Sequence, residues 1–264
     1  MTRYARIIED IFHSNYSKGQ RTVEFSRSDI VESAENLGIT LPKNLGDVIY
    51  TFRYRSALPA SIRKTEPESE SWVITLRGRG TYAFELKSVT RFVPDETLVK
   101  TKVPDATPGV VARYALSDEQ ALLARLRYNR LIDIFTGVTC YSIQNHLRTT
   151  VTGIGQVETD EIYIGVDKSG AHYVLPVQAK GGKDEIGVVQ VEQDMALCEE
   201  RFPGLICRPI GAQFMQDDVI ALFEFDFEDD QGVVKLEERH YRLVPQEELT
   251  EAELRKYRDR APGL

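Results

Sequence analysis

The sequence predicts an α/β fold in which a mixed sheet flanked by helices follows a small domain of helices and a β-hairpin. The chain has 264 residues, which is enough for two domains with separate cores. Helical apolar spacing near the N-terminus gives way to two short strands, and strand-like runs then alternate with amphipathic segments. We therefore predict a first domain over residues 1–92, a proline-containing linker over 93–110 and a second domain over 111–264.

Three helices are predicted in the first domain. Residues 4–12 have helical apolar spacing, and a short strand follows at residues 22–25. A second helix runs from Ser28 to about Gly38, since glycine is a common residue at the end of a helix. A third helix is expected from Asn44, a favourable N-cap residue, to about Arg55.

A β-hairpin is predicted from residues 72–76 and 82–87, with the tip Arg-Gly-Arg-Gly at residues 77–80. Helices followed by a hairpin with a basic tip resemble a winged helix-turn-helix, in which the third helix enters the major groove of DNA. Arginine suits both phosphate oxygens and base edges. The predicted DNA contacts of this domain are Arg53, Arg55, Arg77 and Arg79. A protein-interaction module is the alternative interpretation of the same elements.

The second domain begins with a long predicted helix from Ser117 to about Gly137. Glu119 lies in its first turn, where an acid is either a favourable charge near the helix dipole or part of a site. A strand follows from about Tyr141. Its Arg148 is either a phosphate contact or an exposed side chain.

A second β-hairpin is predicted over residues 156–180. Residues 162–166 and 172–177 are rich in β-branched and aromatic side chains, and the intervening Asp-Lys-Ser-Gly at 167–170 favours a tight turn. Pairing of the two strands brings the start of the first close to the end of the second. Acidic residues at the first strand and a Gln-x-Lys sequence at the second are therefore expected to share one pocket.

The residue types at the open end of this hairpin suit a metal site. Glu158 and Asp160 share one face of their strand, as do Gln178 and Lys180, because side chains alternate. Phosphodiester cleavage needs a hard cation, and Mg²⁺ accepts one or two carboxylates together with water. Asp160 is the expected principal ligand, Gln178 a weaker one, and Lys180 the cation that stabilises the developing anion. Possible additional acids on the hairpin are Glu158 and Glu161.

After the hairpin, residues 186–202 have helical spacing, and two apolar strands follow at residues 205–214 and 219–227. A short charged helix is predicted over residues 245–260. The order of elements around the hairpin is therefore a helix, three strands, a helix and two strands.

This arrangement resembles the PD-(D/E)XK nuclease superfamily, which includes many restriction endonucleases and several repair and recombination nucleases. The likeness rests on Asp160, 17 intervening residues and the Gln-x-Lys of residues 178–180, and it covers about residues 117–227. It implies a restriction-endonuclease-like core, a metal site at Asp160 and Gln178, and catalysis by these residues with Lys180. Nucleases of this superfamily often have an additional acid on the helix before the metal strands, and Glu119 is the possible additional acid here. Two positions depart from the family pattern, because no proline precedes Asp160 and glutamine replaces the acid before the lysine. Some branches of the superfamily use Gln-x-Lys.

Charge and composition limit the possible functions. The formal charge is −8, but residues 1–115 carry +3 and residues 116–264 carry −11. This distribution argues against a long non-specific basic groove and leaves room for a few arginine contacts with DNA. Three cysteines without metal-ligand spacing indicate neither a zinc site nor a disulfide framework. The sequence has no apolar run of membrane length and no signal peptide, so we expect a cytoplasmic protein without a membrane partner.

These features together predict a Mg²⁺-dependent endonuclease of the type II restriction kind that hydrolyses double-stranded DNA. Symmetric cutting by members of the superfamily implies a homodimer. A repair or recombination nuclease is a second interpretation of the same site. A catalytically inactive DNA-binding regulator is the third, and the glutamine at position 178 is the feature that favours it.

Overall fold

The computed structural model of the protein describes residues 2–114, 119–181, 184–229 and 231–260, apart from the side chain of Arg55. Its N-terminal part contains helices and three strands in one compact unit. In chain order these are α1 Arg3–Asn15, β1 Thr22–Ser26, α2 Arg27–Asn36, α3 Gly46–Tyr50 with a π-helical turn at Thr51–Arg55, α4 Ala60–Arg63, β2 Ser71–Leu76 and β3 Thr81–Lys87.

A three-stranded antiparallel sheet, in the order β1-β3-β2, forms one side of this unit. Helix α1 packs against it through an apolar face that includes Ile8 and Phe12, both fully buried. The Phe12 ring meets the rings of Trp72 and Phe84 edge to face, with centroids 5.2 and 5.1 Å apart. Each fully buried ring of this kind stabilises the fold by about 2 kcal/mol through removal of apolar surface from water.

The third predicted helix exists, but its geometry changes along its length. Regular α-helix covers α3 only, and the five residues that follow form a π-helical turn. The Asn44 side chain accepts a hydrogen bond from the Gly46 N–H at 3.1 Å, at the start of the helix. Helix α4 was not predicted from the sequence. Its four residues form a separate helix after Pro59, because the chain is extended at Ser56.

The rest of the chain forms a large sheet with helices around it. The strands of this part are β4 Arg91–Phe92, β5 Lys100–Pro104, β6 Thr139–Val151, β7 Gly155–Val166, β8 His172–Lys180, β9 Ile186–Gly187, β10 Ile206–Cys207, β11 Ile210–Phe214, β12 Val219–Glu228 and β13 Gly232–Val244. Strands β4 and β9 form a separate two-stranded sheet. Its helices are α5 Gly109–Tyr114, α6 Glu119–Tyr128, α7 Leu131–Thr136, α8 Val188–Arg201 and α9 Glu251–Arg260.

The large sheet is mixed, as the sequence predicts. Seven strands follow the order β5-β13-β12-β11-β8-β7-β6, and β10 pairs with β8 beside this path. The pairs β11/β8, β13/β5 and β10/β8 are parallel, whereas the other neighbours are antiparallel. The prediction of an α/β fold with a mixed sheet is therefore confirmed.

Helices cover both faces of this sheet. On one face, Leu126 of α6 packs in a cluster with Val177 of β8. On the other, Leu197 of α8 packs with Val174, which points the opposite way because it lies an odd number of residues from Val177. The sheet is thus buried on both sides around β8, the strand that carries the Gln-x-Lys sequence.

Three segments differ from the sequence prediction. Residues 93–110 were predicted as a linker but include β5, which pairs with β13 at the sheet edge. The long helix expected from Ser117, which lies outside the described residues, is divided into α6 and α7 where Arg130 adopts a left-handed conformation with φ of 49°. Strand β13 was not predicted from the sequence, because its many charged residues obscure the alternation of buried and exposed positions.

The N-terminal unit lies directly against the large sheet. Strands β4 and β9 pair with each other across the junction. The N–H of Gly78, at the tip of the β2–β3 hairpin, donates to the carbonyl of Ile154 in the β6–β7 turn at 3.2 Å. None of the helices in the described ranges is long and apolar enough to cross a membrane.

Candidate functional site

The Asp160 and Gln178 side chains lie where strands β7 and β8 separate. Pairing between these strands ends at Glu161 opposite Val177. Beyond this pair, β7 continues along β6 and β8 continues along β11. The sequence placed Asp160 at the start of its strand, whereas β7 begins at Gly155 because its first residues pair with β6. The opening between the two strands therefore arises in mid-strand.

Asp160 and Lys180 both line this opening. The Oδ2 atom of Asp160 accepts a hydrogen bond from the backbone N–H of Ala179 at 2.8 Å. Burial raises the pKa of the Asp160 carboxyl, and the positive charge of Lys180 opposes that shift. The lysine is itself largely buried, with 13% of its side chain exposed. A carboxylate and an ammonium group thus share a site that is partly shielded from water.

Glu119 joins this pair from the first turn of α6. Its Oε1 atom lies 3.5 Å from Nζ of Lys180, and 42% of its side chain is exposed. The structure therefore brings the predicted helix acid to the predicted hairpin site. Two elements that are far apart in sequence supply the acid and the lysine.

Gln178 is 2% exposed, and its polar atoms contact other residues of the protein. Its Nε2 atom donates to the carbonyl of Glu158 at 3.2 Å and to Oδ2 of Asp194 at 3.0 Å. Its Oε1 atom accepts from Nε2 of Gln190 at 3.1 Å. The amide oxygen that the sequence assigned to a metal ion is thus engaged by α8.

Asp194 of α8 was missed in the sequence. It is 1% exposed and accepts hydrogen bonds from the Thr159 hydroxyl as well as from Gln178. Burial raises the pKa of its carboxyl to about 7, although both hydrogen bonds act in the other direction. Helical spacing could have identified Asp194, because it lies three residues after Val191 on the inward face of an amphipathic helix.

The two other acids of the hairpin have different environments. Glu158 lines the same cleft as Asp160, and its carboxylate lies 3.1 Å from Nε2 of His146 and 3.3 Å from Nη2 of Arg148. Glu161 is fully buried on the opposite face of β7, where it pairs with Arg127 at 2.8 Å. The alternation of side chains along a strand thus separates Glu161 from Asp160, so Glu161 does not belong to the site.

The predicted arginine contacts fall into separate places. Arg53, Arg79 and Arg148 line the cleft. Arg77 lies outside it and pairs with Glu85 within the N-terminal unit. The side chain of Arg55 lies outside the described part of the chain.

The cleft lies between the N-terminal unit and the large sheet and has a volume of about 920 Å³. Helix α3, the π-helical turn and the β2–β3 tip form one wall, and the ends of β7 and β8 belong to the opposite wall. The Tyr54 hydroxyl donates to Oε1 of Gln193 in α8 at 3.1 Å. The helix that the sequence expected in a DNA groove thus contacts the second unit of the same chain.

The carboxylates that could hold a metal ion at this site are few. Within the described ranges, no three Asp, Glu, His or Cys side chains come close enough to hold a metal ion together. Mg²⁺ usually retains several waters and needs one or two carboxylates. Asp160 and Glu119 are carboxylates of the cleft that could bind such an ion, and Glu119 lies 3.5 Å from Lys180.

Comparisons with family models, curated proteins and solved structures give no match for this chain.

Proposed function

We propose that the protein is a Mg²⁺-dependent DNA endonuclease that hydrolyses phosphodiester bonds. The observation that carries this proposal is the meeting of Asp160, Lys180 and Glu119 in one cleft at the divergence of β7 and β8. A carboxylate ligand beside a largely buried ammonium group suits chemistry on a phosphate anion.

In this proposal Asp160 would hold the metal ion, and Glu119 is a second carboxylate beside Lys180 that could assist it. A bound Mg²⁺ would neutralise charge on the phosphate and lower the pKa of a water molecule. Lys180 holds the attacking water or the phosphate oxygen, because its ammonium group points into the same cleft. Gln178 acts as a positioning residue, since its hydrogen bonds to Asp194 and the Glu158 carbonyl fix the two strands relative to each other.

The N-terminal unit supplies the DNA contacts in this proposal. Its order of helices and strands, with β1 pairing with β3, supports a winged helix-turn-helix. Arg53 and Arg79 lie on its cleft wall, opposite the acids of the second unit. Restriction-type specificity, double-stranded DNA as the substrate and a homodimeric state stay predictions from the superfamily resemblance.

The test is cleavage of plasmid and linear DNA by the full chain in Mg²⁺, compared with the variants Asp160→Ala and Lys180→Ala. We expect each change to reduce cleavage by at least a hundredfold, a typical loss for a group that stabilises transition-state charge. DNA binding should stay within about threefold of the unchanged protein, because few phosphate contacts are removed. Glu161→Gln is unsuitable as a control, since Glu161 is a buried partner of Arg127.

Asp226→Asn is the matched control, because Asp226 is an exposed acid on β12 outside the cleft. Its cleavage rate should equal that of the unchanged protein. Undiminished cleavage by both Asp160→Ala and Lys180→Ala would reject the site.

A DNA-binding regulator without nuclease activity is a second candidate. The engagement of Gln178 by Asp194 and Gln190 favours it, because this position offers the metal no carboxylate. In that case the protein binds DNA but shows no cleavage in Mg²⁺ or Mn²⁺, and Asp160→Ala leaves the binding curve unchanged. Sequencing the ends of treated DNA distinguishes the two candidates.

A further inference from the structure

The shape of the cleft restricts what enters it. Its volume of about 920 Å³ is close to that of pockets that enclose small molecules. Proteins read a paired duplex with elements that project into a groove. Here the π-helical turn forms a wall of a concavity and is attached to α8 through Tyr54 and Gln193. The cleft is thus suited to a part of a DNA strand that leaves the duplex.

Arg53 indicates a negative group in the ligand. Its Nε and Nη2 atoms are buried and have no hydrogen-bond acceptor among the described residues. Its guanidinium carbon lies 4.7 Å from the centroid of the Tyr54 ring, which holds the side chain in place from one side. A phosphate offers the acceptor oxygens that a buried guanidinium requires.

Three acids of the cleft already have cationic or donor partners. Glu119 lies near Lys180, Glu158 near His146 and Arg148, and Asp160 accepts the Ala179 N–H. No carboxylate of the described residues accepts a hydrogen bond from Nε or Nη2 of Arg53. The Nε and Nη2 groups of Arg53 are therefore available to donate hydrogen bonds to a ligand.

Aromatic rings beside Arg53 indicate a planar group in the same ligand. Tyr50 is 39% exposed on the cleft wall, and its ring meets that of Tyr54 with centroids 4.9 Å apart. Tyr82 also lines the cleft. Aromatic side chains of this kind provide surfaces on which unpaired bases stack, whatever the base.

We propose that the cleft binds one unpaired nucleotide of the DNA, with its phosphate on Arg53 and its base against Tyr50. This inference rests on the proposed function, because it takes DNA as the ligand, and it names locally unpaired DNA as the preferred substrate class. A fully paired duplex has to release a base before it fills the cleft, which costs free energy of unstacking.

The test measures binding of fluorescein-labelled DNA by anisotropy, with the full chain in EDTA so that no cleavage occurs. Two probes have the same sequence and length: a fully paired duplex, and a duplex in which one base faces an abasic site. We expect the second probe to bind about tenfold more tightly, because stacking on an aromatic side chain favours the released base. Arg53→Gln and Tyr50→Ala should each reduce this preference to less than about twofold.

Two further variants make the result specific. Tyr50→Phe keeps the ring and should keep most of the preference. Arg258→Gln removes an exposed arginine of α9, remote in sequence from the cleft walls, and should change neither affinity. Thermal denaturation of every variant shows which of them are folded.

Equal affinities of the unchanged protein for both probes overturn the inference, and this result does not depend on any variant. Cleavage of paired DNA would then still support the proposed function. A lack of binding to both probes overturns the proposed function as well. A preference that survives in folded Arg53→Gln and Tyr50→Ala proteins shows that the unpaired nucleotide binds elsewhere.

Discussion

The Gln178 side-chain amide donates a hydrogen bond to the Asp194 carboxylate at 3.0 Å, in a region where the two residues are 2% and 1% exposed. An amide can donate to a carboxylate, whereas a second carboxylate at position 178 would need a shared proton. The glutamine at position 178 is therefore chemically matched to a buried acid on α8. This match gives a structural reason for glutamine at this position.

The first prediction concerns this pair. We expect Gln178→Glu to lower the free energy of unfolding by about 1–3 kcal/mol, because it places two carboxylates in contact and removes a donor. Asp194→Asn in the same chain should recover part of the loss, since the asparagine amide can donate to the new glutamate. Urea unfolding of the two single variants and the double variant at about pH 8 measures the coupling.

Additive effects of the two substitutions would contradict a direct contact between these side chains. Gln178→Met is the matched control for packing, because it keeps the length of the side chain without its amide. Gln178→Met should have a lower free energy of unfolding than the unchanged protein, both alone and in combination with Asp194→Asn.

The second prediction concerns pH. Burial raises the pKa of the Asp194 carboxyl from its ordinary value of 3.8 to about 7 in the folded protein. Between these values the folded state holds a proton that the unfolded state has lost, so the free energy of unfolding falls as pH rises through this window. Above about pH 7 this contribution is constant. Asp194→Asn lacks this contribution. From pH 4 to pH 7 its free energy of unfolding should therefore rise, relative to that of the unchanged protein, by on the order of 2–4 kcal/mol.

Urea unfolding in EDTA at several pH values measures this difference. Only the change with pH is compared, because asparagine also alters the hydrogen bonds to Thr159 and Gln178. Parallel curves for the two proteins would show that Asp194 has an ordinary pKa in the folded state.

The sequence predicts those helices and strands in which buried apolar residues recur at the regular spacing of a helix or a strand. The hairpin of β7 and β8 alternates apolar residues around a tight turn, and the sequence placed both strands correctly in outline. Strand β13 was missed because exposed charges dominate its sequence and because Leu236 is an extra residue in its pairing with β12, which interrupts the alternation of its side chains. Long-range pairing with β5 and β12, rather than local pattern, makes this segment a strand.

The candidate site was predictable to the same extent. Strand alternation placed Gln178 and Lys180 on one face, and the helix start placed Glu119 before them. No local pattern indicates that Gln178 contacts Asp194, because this contact depends on how α8 lies across the sheet. The burial of the Arg53 guanidinium was likewise not predictable, because it depends on how the N-terminal unit packs against the large sheet.

The third prediction tests the packing beneath the site. Gly211 of β11 pairs with Gln178 of β8, and a Cβ atom at this glycine would lie 2.4 Å from Cδ1 of Ile186. Gly211→Ala should therefore lower the free energy of unfolding by about 1–3 kcal/mol through overpacking. Gly109→Ala is the control, because nothing lies within 4 Å of its added methyl group. Equal urea midpoints for the two variants would contradict the close approach of β9 to β11.

The fourth prediction separates stability from activity at the helix acid. Glu119 lies 3.5 Å from Lys180 and is 42% exposed, so Glu119→Gln should change the free energy of unfolding by less than about 1 kcal/mol. Under the proposed function it should lower kcat roughly tenfold with little change in KM, because Lys180 loses a partner that orients it toward the phosphate. Asp218→Asn is a matched control, since Asp218 pairs with Arg125 of the same helix at 3.4 Å on the surface. An equal kcat for the two variants would show that the Glu119 carboxylate has no part in cleavage, and that its contact with Lys180 is an ordinary surface ion pair.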